Sequence, residues 1–317
     1  MTQRTKNETR PPHNVGRPTP EMFPAMRELW RICFDDPEPI ADFIFRQIIR
    51  PENTRVLADG QGVPLSMLFI QPARLHQADR PDQPNLPDCA YIYGVATRPD
   101  RRGQGLSSRL LEETALDLAS PDNPRIRALT LVPSGPELVG YYARQGFTGA
   151  FSHRVVHLTP AVLEKTAPGF DLPRFTPRRL ADLAGLRGLS LADSPLALLW
   201  ERDFLEAINE ECLLYHGEVL HFERSGAEGY LVYYQDEDGI LIKEYVELLG
   251  PGGVSPLPEV MAALHRRLGA ARYTLRLRPD HSSPWPGEIA PFGMIRMLDG
   301  SANPPGPNLG YLAHAMD

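Results

Sequence analysis

Apolar residues recur at helical spacing early in the chain. Phe23, Met26, Leu29, Trp30 and Cys33 share one face of residues 21–34, and Ile40, Phe43, Ile44 and Ile48 repeat the pattern over residues 39–49. Two helices are expected there, separated by the acidic turn Asp35-Asp-Pro-Glu38. The period then changes. Residues 54–58 and 63–70 read as strands joined at Asp59-Gly-Gln-Gly62, a hairpin signal. Residues 90–97 form an apolar and aromatic strand, after which Leu106, Leu110, Leu111 and Ala115 return to helical spacing. Residues 128–132 read as a strand and 137–145 as a helix stopped by Gly146; residues 149–158 read as a further strand.

Pro160, Pro168, Gly169 and Pro173 then interrupt the periodicity. Beyond them, residues 179–191 and 196–214 read as helical. Residues 218–223, 229–234 and 240–248 read as three successive strands, with Asp236-Glu-Asp-Gly239 as a turn. Residues 256–268 read as a helix and 272–277 as a strand. A helix pair, three strands, a helix and a strand repeat the order of the first half. The expected fold is α/β with a mixed sheet, built as two tandem units. Residues 19–158 and 174–317 are the units, 159–173 a linker, and 1–18 a mobile polar tail.

Composition narrows the partners. The 317 residues carry a formal net charge of −7, and no basic stripe is visible, which disfavours nucleic acid. A cationic small molecule suits an acidic chain better. No apolar run approaches the ~18 residues of a membrane span, and the polar N-terminus lacks an apolar signal core, so a cytoplasmic protein is expected. Cys33, Cys89 and Cys212 are too scattered for a zinc site or a disulfide framework. No metal is expected, and self-association is left open. The 33 prolines, about twice average usage, stiffen the connections.

The candidate chemistry lies between the strand at 90–97 and the helix that follows. Arg101-Arg-Gly-Gln-Gly-Leu-Ser107 presents backbone N–H groups without obstructing side chains, where a helix begins. The first four such groups have no intrahelical acceptor, so the corner is an anion cradle suited to a phosphate or pyrophosphate. It is not a nucleotide-triphosphate loop, which needs Gly-Lys-Ser/Thr. Nor is it a dinucleotide fingerprint, whose third glycine is Ser108 here. The pattern Arg102-x-x-Gly105-x-Ser107, after Tyr93-Gly-Val-Ala-Thr-Arg-Pro99, resembles the pyrophosphate motif of the GCN5-related N-acetyltransferases. A second match follows in order: Tyr142-Ala-Arg-Gln-Gly-Phe147 is similar to that family's Tyr-x-x-x-Gly-Phe signature. Two departures stand out. Ser107 replaces the usual Gly or Ala, and Ser134, in Pro133-Ser-Gly-Pro136, stands where many relatives carry an Asn that meets the coenzyme.

The resemblance implies an acetyl-coenzyme A-dependent N-acetyltransferase. Val95, Ala96, Thr97, Arg102, Gly103, Gln104, Gly105, Leu106, Ser107 and Ser134 would hold the coenzyme. The Val95 N–H would stabilise the developing oxyanion, and Tyr142 would protonate the departing thiolate. The acceptor, a primary amine of a small cationic molecule, would meet Asp35, Asp36, Tyr93 and Glu244. The base stays open among Glu112, Asp88, His153 and the carboxylate of Asp317. In the second unit the matching corner is Leu249-Gly-Pro-Gly-Gly-Val-Ser255; it lacks the motif, and Pro251 removes a donor. The second unit therefore resembles a degenerate acetyltransferase fold. The tandem arrangement resembles the enhanced-intracellular-survival acetyltransferases without their sterol-carrier-like domain. The competing readings are an acyl-coenzyme A sensor without catalysis and a protein or peptide N-acetyltransferase.

Overall fold

The structure, a computed structural model, describes residues 14–78, 87–120, 126–166, 172–224, 226–237, 239–304 and 310–315. They fall into two compact units. Residues 14–71 and 92–120 make the first; residues 72–78, 87–91 and 126–315 contribute the second.

In the first unit, helix Phe23–Phe34 buries Met26, Leu29 and Trp30, as the periodicity requires. It ends at Asp35, whose left-handed φ of 54° lets its N–H return to Arg31 O. The segment expected as one helix over 39–49 is an α-helix, Glu38–Phe43, that widens into the π-helix Ile44–Ile48. Strands Thr54–Ala58 and Pro64–His76 pair antiparallel. Asp59 Oδ1 accepts the N–H groups of Gln61 and Val63, each at 2.9 Å, and closes their turn. Asn14–Gly16, expected within a mobile tail, is a strand paired with Val56, Leu57 and Ala58. Edge pairing uses backbone groups alone, so no apolar pattern announces it. Helix Leu106–Leu118 buries Leu106, Leu110, Leu111, Ala115 and Leu118. Asp117 ties it to strand Thr54–Ala58 through Arg55 Nη2 at 2.6 Å.

In the second unit the sheet starts with Cys89, Ala90 and Tyr91, which pair parallel with Ala128–Leu131. Next comes Glu288–Met297, antiparallel to Ala128–Leu131 on one side and to Thr148–Leu158 on the other. Tyr273–Leu277 follows, then Gly239–Leu249, Ala227–Asp236, Glu218–Arg224 and the short Thr176–Pro177. The inserted strand was missed because Pro291 and Gly293 break its pattern; the register shifts at both. Two other readings are corrected. Residues 196–214 are not one helix: Ala197–Trp200 is a strand paired with Ala73–His76, and Arg202–Leu214 is the helix. A fully buried apolar run of four carries no period to distinguish strand from helix. The supposed linker contains helix Pro160–Thr166, whose Leu163 is packed in one core with Val156, Val260 and Leu264.

The strand–connection–helix–strand order occurs twice. Cys89–Thr97, Leu106–Leu118 and Ala128–Leu131 form the first set; Gly239–Leu249, Leu257–Leu268 and Tyr273–Leu277 form the second. In each set the two strands pair parallel. Among the described residues no helix is long and apolar enough to cross a membrane.

Candidate active site

Gly94 lies in the strand Cys89–Thr97, which leads into the glycine corner at residues 101–107. Its φ is 57°, and a Cβ there would come within 2.7 Å of both the Phe69 and Trp30 rings, so only glycine fits. This left-handed glycine sits inside the strand, immediately before Val95. Ala96 O accepts Ser66 Oγ at 2.8 Å, which fixes the strand beyond Gly94. Thr97 O accepts Arg102 Nε at 3.3 Å and the Cys33 thiol at 3.5 Å. Arg102 Nη2 also reaches Cys33 Sγ at 3.7 Å. The Arg102 side chain therefore braces its own loop against the strand end and helix Phe23–Phe34. Arg101 is paired with Asp100 at 3.5 Å.

Gly103 and Gly105 hold φ values of 76° and 75°, and a Cβ added at either would meet nothing within 4 Å. Residues 101–105 are exposed. Helix Leu106–Leu118 starts at Gly105 with no side-chain cap and no acidic residue in its first turn. An uncapped helix start behind an open glycine loop carries the positive end of the helix dipole to solvent. These residues fit a phosphate group.

The same unit gathers an acidic and aromatic set. Trp30 lies against Phe34, Phe45, Phe69 and Tyr93, with ring centroids 4.2, 6.1, 5.8 and 5.6 Å away. Trp30 Nε1 donates to Asp36 Oδ2 at 2.9 Å. Burial pushes the Asp36 carboxyl up, partly offset by the Trp30 hydrogen bond, and Asp35 adds a little. Trp30 and Phe34 stand out only as one face of a helix in the sequence; that they meet Tyr93 required the fold. Asp35 serves the helix end and is exposed.

Tyr142, Ser134 and Glu244 belong to the second unit. Tyr142 is 7% exposed on helix Pro136–Ala143, with its ring edge-on to Tyr141 at 5.0 Å and to Phe147 at 6.0 Å. Its carbonyl accepts the N–H groups of Gln145 and Phe147 around the left-handed Gly146, which closes the Tyr-x-x-x-Gly-Phe turn. Burial, with a smaller contribution from Tyr141, pushes the Tyr142 hydroxyl well above its ordinary pKa. Ser134 is exposed.

Glu244 does not offer a free carboxylate to an amine, contrary to expectation. It is 0% exposed. Arg187 Nε meets its Oε1 at 2.8 Å, while Tyr230 Oη and His314 Nε2 meet Oε2, each at 2.7 Å. Burial alone would raise this carboxyl; Arg187 and His314 outweigh it and hold the group well below the usual carboxylate range. Lys243 is likewise enclosed, reaching Ala315 O at 3.2 Å. Lys243 and Glu244 are adjacent in their strand and so face opposite sides, and the sequence holds no sign that both faces are covered.

Of the candidate bases, Asp88 is paired with Arg127 at 2.6 Å and accepts Leu75 N–H at 2.7 Å. His153 Nε2 lies 2.6 Å from Leu312 O in the core. Glu112 is exposed on its helix, and Asp317 lies outside the described residues. Among the described residues His221, Glu223 and Glu228 have metal-donor spacing, their ligand atoms lying within 4.8 Å of one another. The His221 imidazole already faces Glu228 at 3.0 Å.

Residues 23–147 match the model of the acetyltransferase (GNAT) family. No curated protein matches the sequence. Among solved structures, a GCN5-related N-acetyltransferase from Kribbella flavida superposes with a TM-score of 0.67 at 16% identity, covering 91% of this chain and 72% of that one. A probable N-acyltransferase from Enterococcus faecalis V583 gives 0.69 at 16% identity, covering 91% and 73%. Eis1 from Mycobacterium abscessus gives 0.63 at 14% identity, covering 90% and 74%. At these identities the likeness is one of fold, and it extends over both tandem halves.

Proposed function

We propose that this N-acetyltransferase, a GNAT-type enzyme by its domain at residues 23–147, transfers the acetyl group of acetyl-coenzyme A to the primary amine of a small cationic acceptor by direct attack. One observation carries the reading: the exposed, uncapped glycine corner at the head of helix Leu106–Leu118. The coenzyme supplies the activated acetyl thioester. Residues 102–107 bind its pyrophosphate, and Val95, Ala96, Thr97 and Ser134 are assigned to the rest of it. The Val95 N–H, which follows the left-handed Gly94, is assigned as the oxyanion donor. A preorganised donor of this kind lowers a barrier by roughly 3–4 kcal/mol.

Tyr142 is assigned to the departing thiolate. Its burial keeps the hydroxyl protonated throughout the working pH range. The same shift makes full transfer uphill toward a thiolate whose conjugate thiol titrates near about 8.5. The hydroxyl therefore acts first as a hydrogen-bond donor to developing charge. Asp36 and the rings of Trp30, Phe34, Phe45 and Tyr93 are assigned to the acceptor, because a half-buried carboxylate beside aromatic faces suits a cation.

A panel of amines assayed for thiol release with acetyl-coenzyme A tests the reading. Small cationic primary amines should be turned over ahead of neutral amines and peptides. Turnover of peptide amines alone would overturn the small-acceptor assignment. Coenzyme binding without thiol release from any amine would leave the sensor reading.

A further inference from the structure

The hairpin of strands Glu218–Arg224 and Ala227–Asp236 carries three metal-donor side chains on one face. His221 and Glu223 are two residues apart and share that face, while Leu220 and Phe222 turn to the core on the other. In the antiparallel ladder Glu223 lies directly opposite Glu228, so Glu228 joins the same face. The ligand atoms of His221, Glu223 and Glu228 all lie within 4.8 Å of one another. The scattered cysteines point to no metal, but this donor set comes from strand register instead.

Carboxylates directly opposite each other in a ladder repel, and here no basic side chain relieves them. Among the described residues Glu223 has no hydrogen bond or ion pair, and Glu228 has only His221, whose Nε2 lies 3.0 Å from its Oε1. Arg224 lines the clefts on both sides of Glu223 and Arg174 lines one of them, yet neither pairs with either carboxylate among the described residues. The His221 side chain is only 9% exposed, so the fold holds the imidazole, whereas both carboxylates are exposed and can turn toward it. An ion holds such ligands at about 2.0–2.2 Å, which allows separations up to about 4 Å. Rotation of an exposed Glu side chain closes the remaining gap. One cleft reaches the group beside Thr176, the other beside Gly226 and Leu249, so a hydrated ion can enter.

We propose that His221, Glu223 and Glu228 bind a single divalent transition-metal ion of the Zn2+ class, which clasps the two strands together. An imidazole with two carboxylates is a donor set that Zn2+ takes, whereas Mg2+ and Ca2+ favour oxygen ligands alone. The ion displaces the proton between His221 Nε2 and Glu228 Oε1, because a ligating imidazole nitrogen is unprotonated. Its charge offsets the repulsion between Glu223 and Glu228, and water fills its remaining positions. No step of the proposed acetyl transfer uses it.

Calorimetric titration of the chelator-stripped full chain tests this, with ZnCl2 and MgCl2 as probes. Wild type should bind Zn2+ at a site that Glu223→Gln and Glu228→Gln each weaken by roughly tenfold or more, and Mg2+ at equal concentration should not compete. Zn2+ should also raise the Tm of wild type, since the unfolded chain does not hold the three donors together, and each variant should lose most of that gain. Glu223 is exposed and without a partner among the described residues, so Glu223→Gln should keep the wild-type Tm in chelator. Lost Zn2+ binding in that variant is then not a lost fold. Cys33 or another histidine can take up Zn2+ adventitiously, so the difference between wild type and variants carries the test. No Zn2+ binding by wild type, equal affinity in wild type and both variants, or Mg2+ bound as tightly as Zn2+ overturns the site. No coenzyme or amine enters the assay, so the outcome is independent of the proposed reaction.

Discussion

Two side chains carry opposite kinds of electrostatic work. Tyr142 is a buried phenol kept neutral by desolvation; in the proposed reaction its hydroxyl donates only when charge develops on the leaving sulfur. Tyr142→Phe should lower kcat roughly 10²-fold or more and leave coenzyme affinity nearly unchanged. Steady-state kinetics beside calorimetry would show this, and an unchanged kcat would mean that another group meets the thiolate. Glu244 is a buried carboxylate kept charged by Arg187 and His314. Its folded pKa is depressed, so its stabilisation is present above the unfolded value of about 4.3 and is lost as pH falls below it. Wild type should therefore lose stability as pH falls through that window, and Glu244→Gln should flatten that part of the profile. At neutral pH the same change leaves Arg187 buried without its counter-charge, at roughly 3–5 kcal/mol. Urea titrations from pH 3 to 7 would measure both. A variant as stable as wild type at pH 7 would show that the pair contributes nothing net.

At the scale of elements, the proposed active corner is a strand, a loop and a helix whose glycines do different jobs. Gly103 and Gly105 need their left-handed backbone but have open space around them. Gly94 needs both its backbone and its bareness, because Trp30 and Phe69 close over it. Gly94→Ala should destabilise the protein by about 1–3 kcal/mol from the positive φ and displace the aromatic rings as well. Because Trp30 holds Asp36, the acceptor KM should rise in the same variant. Thermal melts with amine kinetics would test the coupling, and a stable variant with an unaltered KM would sever the aromatic set from acceptor binding. Most of this corner was legible from residue order, since strand period, glycine spacing and helix period change within a few positions. The Gly94 contacts were not, because Phe69 and Trp30 approach from distant segments.

At the scale of the whole chain, Glu288–Met297 decides how the protein can be divided. It lies between Ala128–Leu131 and Thr148–Leu158, and Tyr273–Leu277 covers the other side of Thr148–Leu158. Ending the chain after residue 166 would bare both strands of the gap and strip Val260 and Leu264 from the core around Val156 and Leu163. That fragment should be insoluble or unfolded and should not bind coenzyme; soluble yield and far-UV circular dichroism would check it, and a folded, coenzyme-binding monomer would refute it. Local chemistry and hydrophobic period were enough to place most helices and strands, the glycine corner before helix Leu106–Leu118, the Tyr142 turn and the repeated order of elements, because each depends on neighbours a few residues apart. The place of Glu288–Met297 in the sheet and the enclosure of Glu244 by Arg187 and His314 depend on contacts between residues many tens of positions apart or more. Only the tertiary structure decided them, since burial and pairing are set by which distant segment arrives, and no local period records that.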